Sequence, residues 1–216
     1  MDDTLRAVYE AVRDGQLETV AGAVQAALAA GLDPEAILQD GMIAAMAEVG
    51  RQFEAGECFI PEMMIAASAM QAGLAGLRPY LRPNATGEAG RVVIGTVKGD
   101  LHDIGKSLVA MMLEGAGFEV IDLGVDVEPA AFVEAVLRHQ PSLVGLSALL
   151  TTTMVHCRTT LEALTAAGLR GQIKVMVGGA AVTETFAAKI GADGYAPDAS
   201  RAVTLAKGLQ AARRAG

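Results

Sequence analysis

Val92-Val93-Ile94-Gly95-Thr96-Val97, followed after Lys98 by Gly99-Asp100-Leu101-His102-Asp103-Ile104-Gly105-Lys106, is an apolar run that breaks into a polar, glycine-flanked loop. β-Branched residues crowd the run and no polar alternation marks a solvent face, so it reads as a strand buried on both sides. Lys106 to Leu113 (KSLVAMML) reads as the opening of a helix, which puts His102 on a strand-to-helix turn. In open α/β sheets, ligands bind where such turns gather, at the carboxyl ends of the strands. The loop is therefore the candidate site, with its histidine set between Asp100 and Asp103.

Toward the C-terminus, strands and helices alternate. Strands are expected at Val92–Val97, Glu119–Leu123, Leu143–Leu149 and Ile173–Val177, with a weak one near Gly194-Tyr195 and a last helix from Ser200 to Arg214. This alternation predicts a five-stranded, mostly parallel, doubly wound sheet. A flavodoxin-like order of 2-1-3-4-5 sets the first and third strand ends at the switch point. His102 and Ser147 are then expected to be neighbours.

Toward the N-terminus the pattern is helical. Thr4–Arg13 and Leu17–Ala30 are amphipathic and separated by Asp14-Gly15, and Asp33-Pro34 offers an N-cap with proline at the first helical position. A third helix carries Ile37, Leu38, Ile43, Met46 and Val49 at mixed three- and four-residue steps. After a loop from Phe53 to Phe59, Pro61 opens a fourth helix bearing Met64, Ile65, Ala67, Met70, Leu74 and Leu77. Four helices with short connections predict a bundle over residues 1–82. The polar stretch Arg82 to Gly90, with one proline and two glycines, reads as a linker. The α/β domain then occupies 91–216, and the fold class is α/β plus all-α.

Composition narrows the function classes. The 216 residues are 52% hydrophobic and only 19% charged, which suits helices packed around a buried sheet. A net charge of −8 disfavours nucleic acid as a partner, because phosphate binding needs a basic face. Cys58 and Cys157 lie far apart with no C-x-x-C spacing, so neither a disulfide framework nor a zinc ribbon is expected. The charged start MDDTLRAVYEAVRDG lacks a signal-peptide core, and no apolar run reaches the ~20 residues that span a bilayer. A cytoplasmic chain with no membrane partner is expected.

Two further motifs decide what the loop holds. D-x-H-x-x-G is followed after 41 residues by Ser147-Ala148-Leu149, and after 28 more by Gly178-Gly179, each at the end of an expected strand. Three motifs in this order and spacing resemble the corrinoid-binding signature. That family includes the cobalamin module of methionine synthase and the small corrinoid proteins of anaerobic methyltransferase systems. The resemblance implies cobalamin bound with its own base off and His102 on cobalt, as methylcobalamin or as a cobalt(I) corrinoid. Asp100 would stand behind the ligand, since a metal-bound imidazole usually donates its other N–H to a carboxylate. A hydroxyl completes the relay in the family; the register through S-x-L places it at Thr153, with Thr151 and Thr152 as neighbouring candidates. Asp103, Ile104, Gly105, Ser147, Leu149, Thr151, Gly178 and Gly179 would line the cofactor and its displaced tail. Glycine suits such a place because a backbone without Cβ lets a flat ring or phosphate come close, and Gly105 would let its loop enter the helix without a clash.

The bundle carries the second half of the resemblance. Val49–Glu54 and Glu57–Met64 are similar to the cap over the upper face of methylcobalamin. Phe53 and Ile60 fall on its two shielding positions, with Met63 and Met64 beside them. An apolar lid would exclude water and must open for the partners. The resemblance implies a methyl-carrying subunit that is not catalytic without its partners. One partner loads cobalt from methanol, a methylamine, a betaine or an aryl methyl ether. A second passes the methyl to a thiol or tetrahydrofolate, and a reductive activase restores cobalt(I).

Plainer readings compete. His139 and His156 lack a comparable context and are read as non-ligands, and Met42, Met46, Met63, Met64, Met70, Met111 and Met112 as core filling, with Met63 and Met64 set apart by lying beside the lid. Asp103 can equally be an N-cap. Gly99 to Ser107 (GDLHDIGKS) approaches the phosphate-binding loop of nucleotide-binding proteins, although the position five before Gly105 is Asp100 rather than glycine. A cobalamin-dependent sensory module or an adenosylcobalamin mutase subunit would use the same cofactor for a different end.

Overall fold

A computed structural model describes residues 2–81 and 89–215. Most of the expected linker, 82–88, lies outside the described residues. The chain divides into two compact units, Met1–Glu88 with Glu114–Gly117, and Ala89–Leu113 with Phe118–Gly216.

The first unit is built on α1 (Asp3–Arg13), α2 (Leu17–Ala29), α3 (Pro34–Ala36), a π-helical segment (Ile37–Ile43), α4 (Ala44–Ala55) and α5 (Ile60–Leu77). Asp2 caps α1, its carboxylate accepting from the Thr4 N–H at 2.9 Å. Val8, Val12, Val20, Val24, Ile37, Met42, Met63, Met70 and Leu77 are fully buried. Gly73 is small for a reason: a Cβ there would meet Met42 and Val20 at 2.9 Å. The third expected helix runs through α3, the π segment and α4. Its wider π turn follows i→i+5 bonding, which is why Leu38 and Ile43 are both buried five residues apart. The loop expected from Phe53 is shorter than the sequence implied, because α4 continues to Ala55. It ends only at Gly56, whose φ of 75° makes the left-handed turn that stops the helix.

The second unit contains β1 (Arg91–Thr96), α6 (Ile104–Gly115), β2 (Glu119–Asp122), α7 (Pro129–His139), β3 (Leu143–Ser147), α8 (Val155–Ala166), β4 (Lys174–Gly178), α9 (Glu184–Ile190), β5 (Gly194–Ala196) and α10 (Ala199–Ala215). The sheet is parallel throughout, in the order β2-β1-β3-β4-β5. Val93, Val144, Val175 and Val177 face a core shared with Phe132 of α7, Leu161 and Leu164 of α8 and Ala187 of α9. Gly95 lets the Phe132 ring lie on β1, since a Cβ there would meet it at 2.8 Å. On the sheet, α10 packs against β3, β4 and β5. Thr96 pairs with Ser147, and Ser147 with Gly178, so three loops leave the sheet side by side. β3 stops at Ser147, two residues before the expected Leu149, because the Leu149 N–H turns to the Asp100 carboxylate instead of a neighbouring strand.

Candidate functional site

Asp100 lies just beyond β1 and its side chain is fully buried. Oδ1 accepts from the His102 backbone N–H at 3.1 Å and from His102 Nδ1 at 2.6 Å. Oδ2 accepts from the Leu149 N–H at 2.8 Å and from the Thr153 hydroxyl at 2.6 Å. Burial pushes this carboxyl up, but the bonds from Thr153, His102 and the two backbone N–H groups outweigh it. They hold Asp100 well below the usual carboxylate range. Asp100 is thus an anion at neutral pH and only accepts. Nδ1 of His102 is then the ring nitrogen that donates to Asp100, on a side chain that is 50% exposed. Thr151 and Thr152 are exposed while Thr153 is buried, so the geometry gives the hydroxyl behind Asp100 to Thr153.

Other groups hold the rest of the loop backbone. Thr96 donates its hydroxyl to the His102 carbonyl at 2.9 Å. Asp126, in the left-handed region at φ 53°, accepts from the Gly99 N–H at 2.6 Å and donates its own N–H to the Asp100 carbonyl at 2.9 Å. An aspartate tolerates that conformation better than most residues. Asp103 takes the N-cap place of α6, its carbonyl accepting from the Ser107 N–H at 2.8 Å. Its carboxylate pairs with Lys106 at 2.8 Å, and Lys106 also pairs with Asp122 at the end of β2. Lys106 is buried between them; burial lowers its pKa, and the two carboxylates more than offset that and raise it. This removes the phosphate-loop reading: the lysine of the G-K-S run is already neutralised inside the fold.

Ser147 closes β3 and Gly178 closes β4. Gly179 follows with φ 115°, and a Cβ there would collide with the Ala148 carbonyl oxygen, so only glycine fits. Gly105 differs from expectation. A Cβ there would meet no protein atom within 4 Å, so it relieves no internal clash and leaves open space beside His102. Leu101 and Ile104, which flank the histidine, are 72% and 76% exposed, and Leu149 and Leu150 are also exposed. Exposed apolar side chains around an oriented histidine fit a flat, largely apolar ligand with a central metal. Among the described residues no group of three or more His, Cys, Asp or Glu side chains is placed to hold a metal ion. His102 would offer one ring nitrogen to a metal that brings its other ligands with it.

In the helical unit, Phe53 is half-buried on the last turn of α4, and Ile60 and Met64 are exposed at the start of α5. Met63, expected beside the lid or as core filling, is fully buried. Phe59 is exposed and was not anticipated; Glu62 accepts its N–H at 3.0 Å and so fixes the entry to α5. Lys106, Asp122, Asp126, Leu101 and Leu150 were also missed as site-builders. The available signal was a carboxylate at each end of Asp122-Leu-Gly-Val-Asp126, immediately after an apolar strand.

The comparisons with known proteins cover both units. The B12 binding domain family matches residues 90–204, and a second B12 binding domain family matches residues 4–78. Trimethylamine corrinoid protein 1 of Methanosarcina mazei is 45% identical over 208 residues, covering 95% of this chain and 96% of that protein. The dimethylamine corrinoid protein of Methanosarcina barkeri is 44% identical, covering 97% and 99%. The methanol:cobalamin methyltransferase complex MtaBC of Methanosarcina barkeri contains a chain that matches with a TM-score of 0.87 at 31% identity, covering 97% of this chain and 80% of that one. A cobalamin-binding protein from Desulfitobacterium hafniense matches at 0.76 and 33%, covering 97% of each. With a buried carboxylate orienting a half-exposed histidine and these matches over nearly its full length, the chain belongs to the B12-binding corrinoid protein family.

Proposed function

We propose that this chain is the methyl-carrying corrinoid subunit of a methylamine-dependent methyltransferase system, with His102 as the lower ligand of cobalt. The carrying observation is the buried Asp100 carboxylate, which joins His102 Nδ1 to Thr153 and so makes Nε2 the nitrogen that would meet a metal. The corrinoid, when bound, supplies a cobalt atom that accepts a methyl group from one partner and yields it to another. The chain's own residues hold and orient. Asp100 fixes the direction of the imidazole through Nδ1. Leu101, Ile104, Leu149 and the bare backbone at Gly105 would form the bed for the ring, and the strand ends at Ser147, Gly178 and Gly179 would receive the nucleotide tail.

In the helical unit, Phe53, Ile60 and Met64 are the apolar side chains that would exclude water from a methyl group. Corrinoid proteins of methyltransferase systems work with methyltransferases, as the MtaBC complex illustrates. For this chain the reading adds a second methyltransferase acting on a thiol or tetrahydrofolate, and a reductive activase. No helix among the described residues is long and apolar enough to cross a membrane, which suits a carrier in the cytoplasm. The full-length relatives named for trimethylamine and dimethylamine support methylamines as the donor class. The test loads the chain with a reduced corrinoid and supplies a methylamine:corrinoid methyltransferase with radiolabelled trimethylamine or dimethylamine. Label that moves with the chain is expected; label from methanol but from neither amine would overturn the donor assignment.

A further inference from the structure

Asp100 aims the imidazole of His102 and accepts its main-chain N–H, but the carbonyl of the same residue is held by a second hydrogen-bonded circuit in which the Asp100 side chain takes no part. The His102 carbonyl accepts from Thr96 Oγ1 at 2.9 Å. The Thr96 N–H donates to the Gly124 carbonyl at 3.0 Å, and the Gly124 N–H donates to Asp122 Oδ1 at 2.8 Å. Asp122 Oδ2 accepts from Lys106 Nζ, and the same ammonium pairs at 2.8 Å with Asp103, the residue after His102. The circuit thus leaves the histidine on its carbonyl side, passes through β1, the end of β2 and α6, and returns at its neighbour.

We propose that Lys106 is the positioning residue of this circuit, setting where the His102 main chain stands and so how closely Nε2 approaches the metal. This rests on the corrinoid reading above. The burial of the lysine is the informative part. Its side chain is only 2% exposed, whereas Asp103 and Asp122 lie nearer the rim at 53% and 37%. Withdrawing an ammonium from water is costly, and an apolar side chain would fill the same slot without that cost. The ammonium does what an apolar residue cannot: it ties the first turn of α6 to the end of β2 across the loop that carries the ligand. A histidine that would hold a metal through one ring nitrogen needs a main chain that stays in place.

The test compares Lys106→Met and Asp122→Asn in the full chain, each alone and combined with His102→Ala, by titration with hydroxocobalamin followed by absorption spectroscopy. Loss of residues that orient a metal ligand commonly weakens metal affinity about 10- to 100-fold. Lys106→Met is expected to lower cofactor affinity about tenfold and to reduce the histidine-ligated fraction in the spectrum, with Asp122→Asn changing both in the same direction. In the His102→Ala background the same substitutions should change affinity less than about twofold, since Lys106 acts through the histidine. Equal losses in both backgrounds would make Lys106 a general stabiliser and overturn the inference, as would a Lys106→Met spectrum and affinity identical to wild type. Circular dichroism of the cofactor-free variants reports folding; should Lys106→Met unfold, Asp122→Asn decides alone, since it keeps the side-chain shape at a rim position. Failure of wild type to bind hydroxocobalamin would overturn the corrinoid reading and this inference together, whereas normal wild-type binding with unaffected variants overturns this inference only.

Discussion

Replacing Asp100 with asparagine keeps the shape of the side chain and removes its charge, and the structure says what that costs. Each carboxylate oxygen accepts one backbone N–H, from His102 on Oδ1 and from Leu149 on Oδ2. An amide has one oxygen, so in either orientation its NH₂ group, in a fully buried place, faces a main-chain donor instead of an acceptor. A donor stranded there costs about 1–3 kcal/mol, and the surviving bonds lose their charge assistance, for a total of about 2–4 kcal/mol. The wild-type carboxyl lies below its unfolded value, so its contribution is complete above about pH 4 and is lost as pH falls through and below that value toward the folded one. The gap between wild type and Asp100→Asn should therefore be full at pH 7 and narrow in acid. Urea unfolding followed by circular dichroism measures it, and hydrogen exchange of the β1 amides reports on the α/β unit specifically. A variant within about 0.5 kcal/mol of wild type at pH 7 would refute the assignment of both main-chain N–H groups to this carboxylate.

Three further substitutions or measurements separate packing from cofactor binding. Gly179→Ala should destabilise the cofactor-free protein by at least about 3 kcal/mol, read by chemical denaturation, because it meets both a left-handed φ and the Ala148 carbonyl. Gly105→Ala, on an open surface in the first turn of α6, should leave cofactor-free stability unchanged or raise it by up to about 1 kcal/mol. Its hydroxocobalamin affinity should nevertheless fall; equal affinity would show that the ring does not lie there. Burial, with the Asp100 charge, pushes the Cys157 thiol up to about 12. Mass spectrometry after alkylation at pH 8 should find Cys157 unlabelled in the folded protein and labelled in urea.

The parts of the fold that sequence made legible are those fixed by short-range rules. Parallel strands buried on both faces declare themselves as apolar runs, and Thr96, Ser147 and Gly178 end in register where the three motifs had placed the site. The family resemblance supplied the Asp100 to His102 pairing, while the choice among three adjacent threonines needed the turn that buries only Thr153. The extent of α4 was misjudged because Phe53 looked like a loop boundary, whereas Gly56 supplies the conformation that ends the helix. The π segment was hidden because a five-residue apolar step resembles irregular helical spacing. Lys106 was misleading for an electrostatic reason: its partners Asp103 and Asp122 are three and sixteen positions away, and only the pairing of β1 with β2 brings the second of them to it.

The most direct test of the central claim is reconstitution of the full chain with hydroxocobalamin, comparing the absorption spectrum and stoichiometry of wild type with those of His102→Ala. The account predicts a tight one-to-one wild-type complex with histidine ligation, and an altered axial ligand in the variant. Absence of wild-type binding, or a bound spectrum that His102→Ala leaves unchanged, would contradict it.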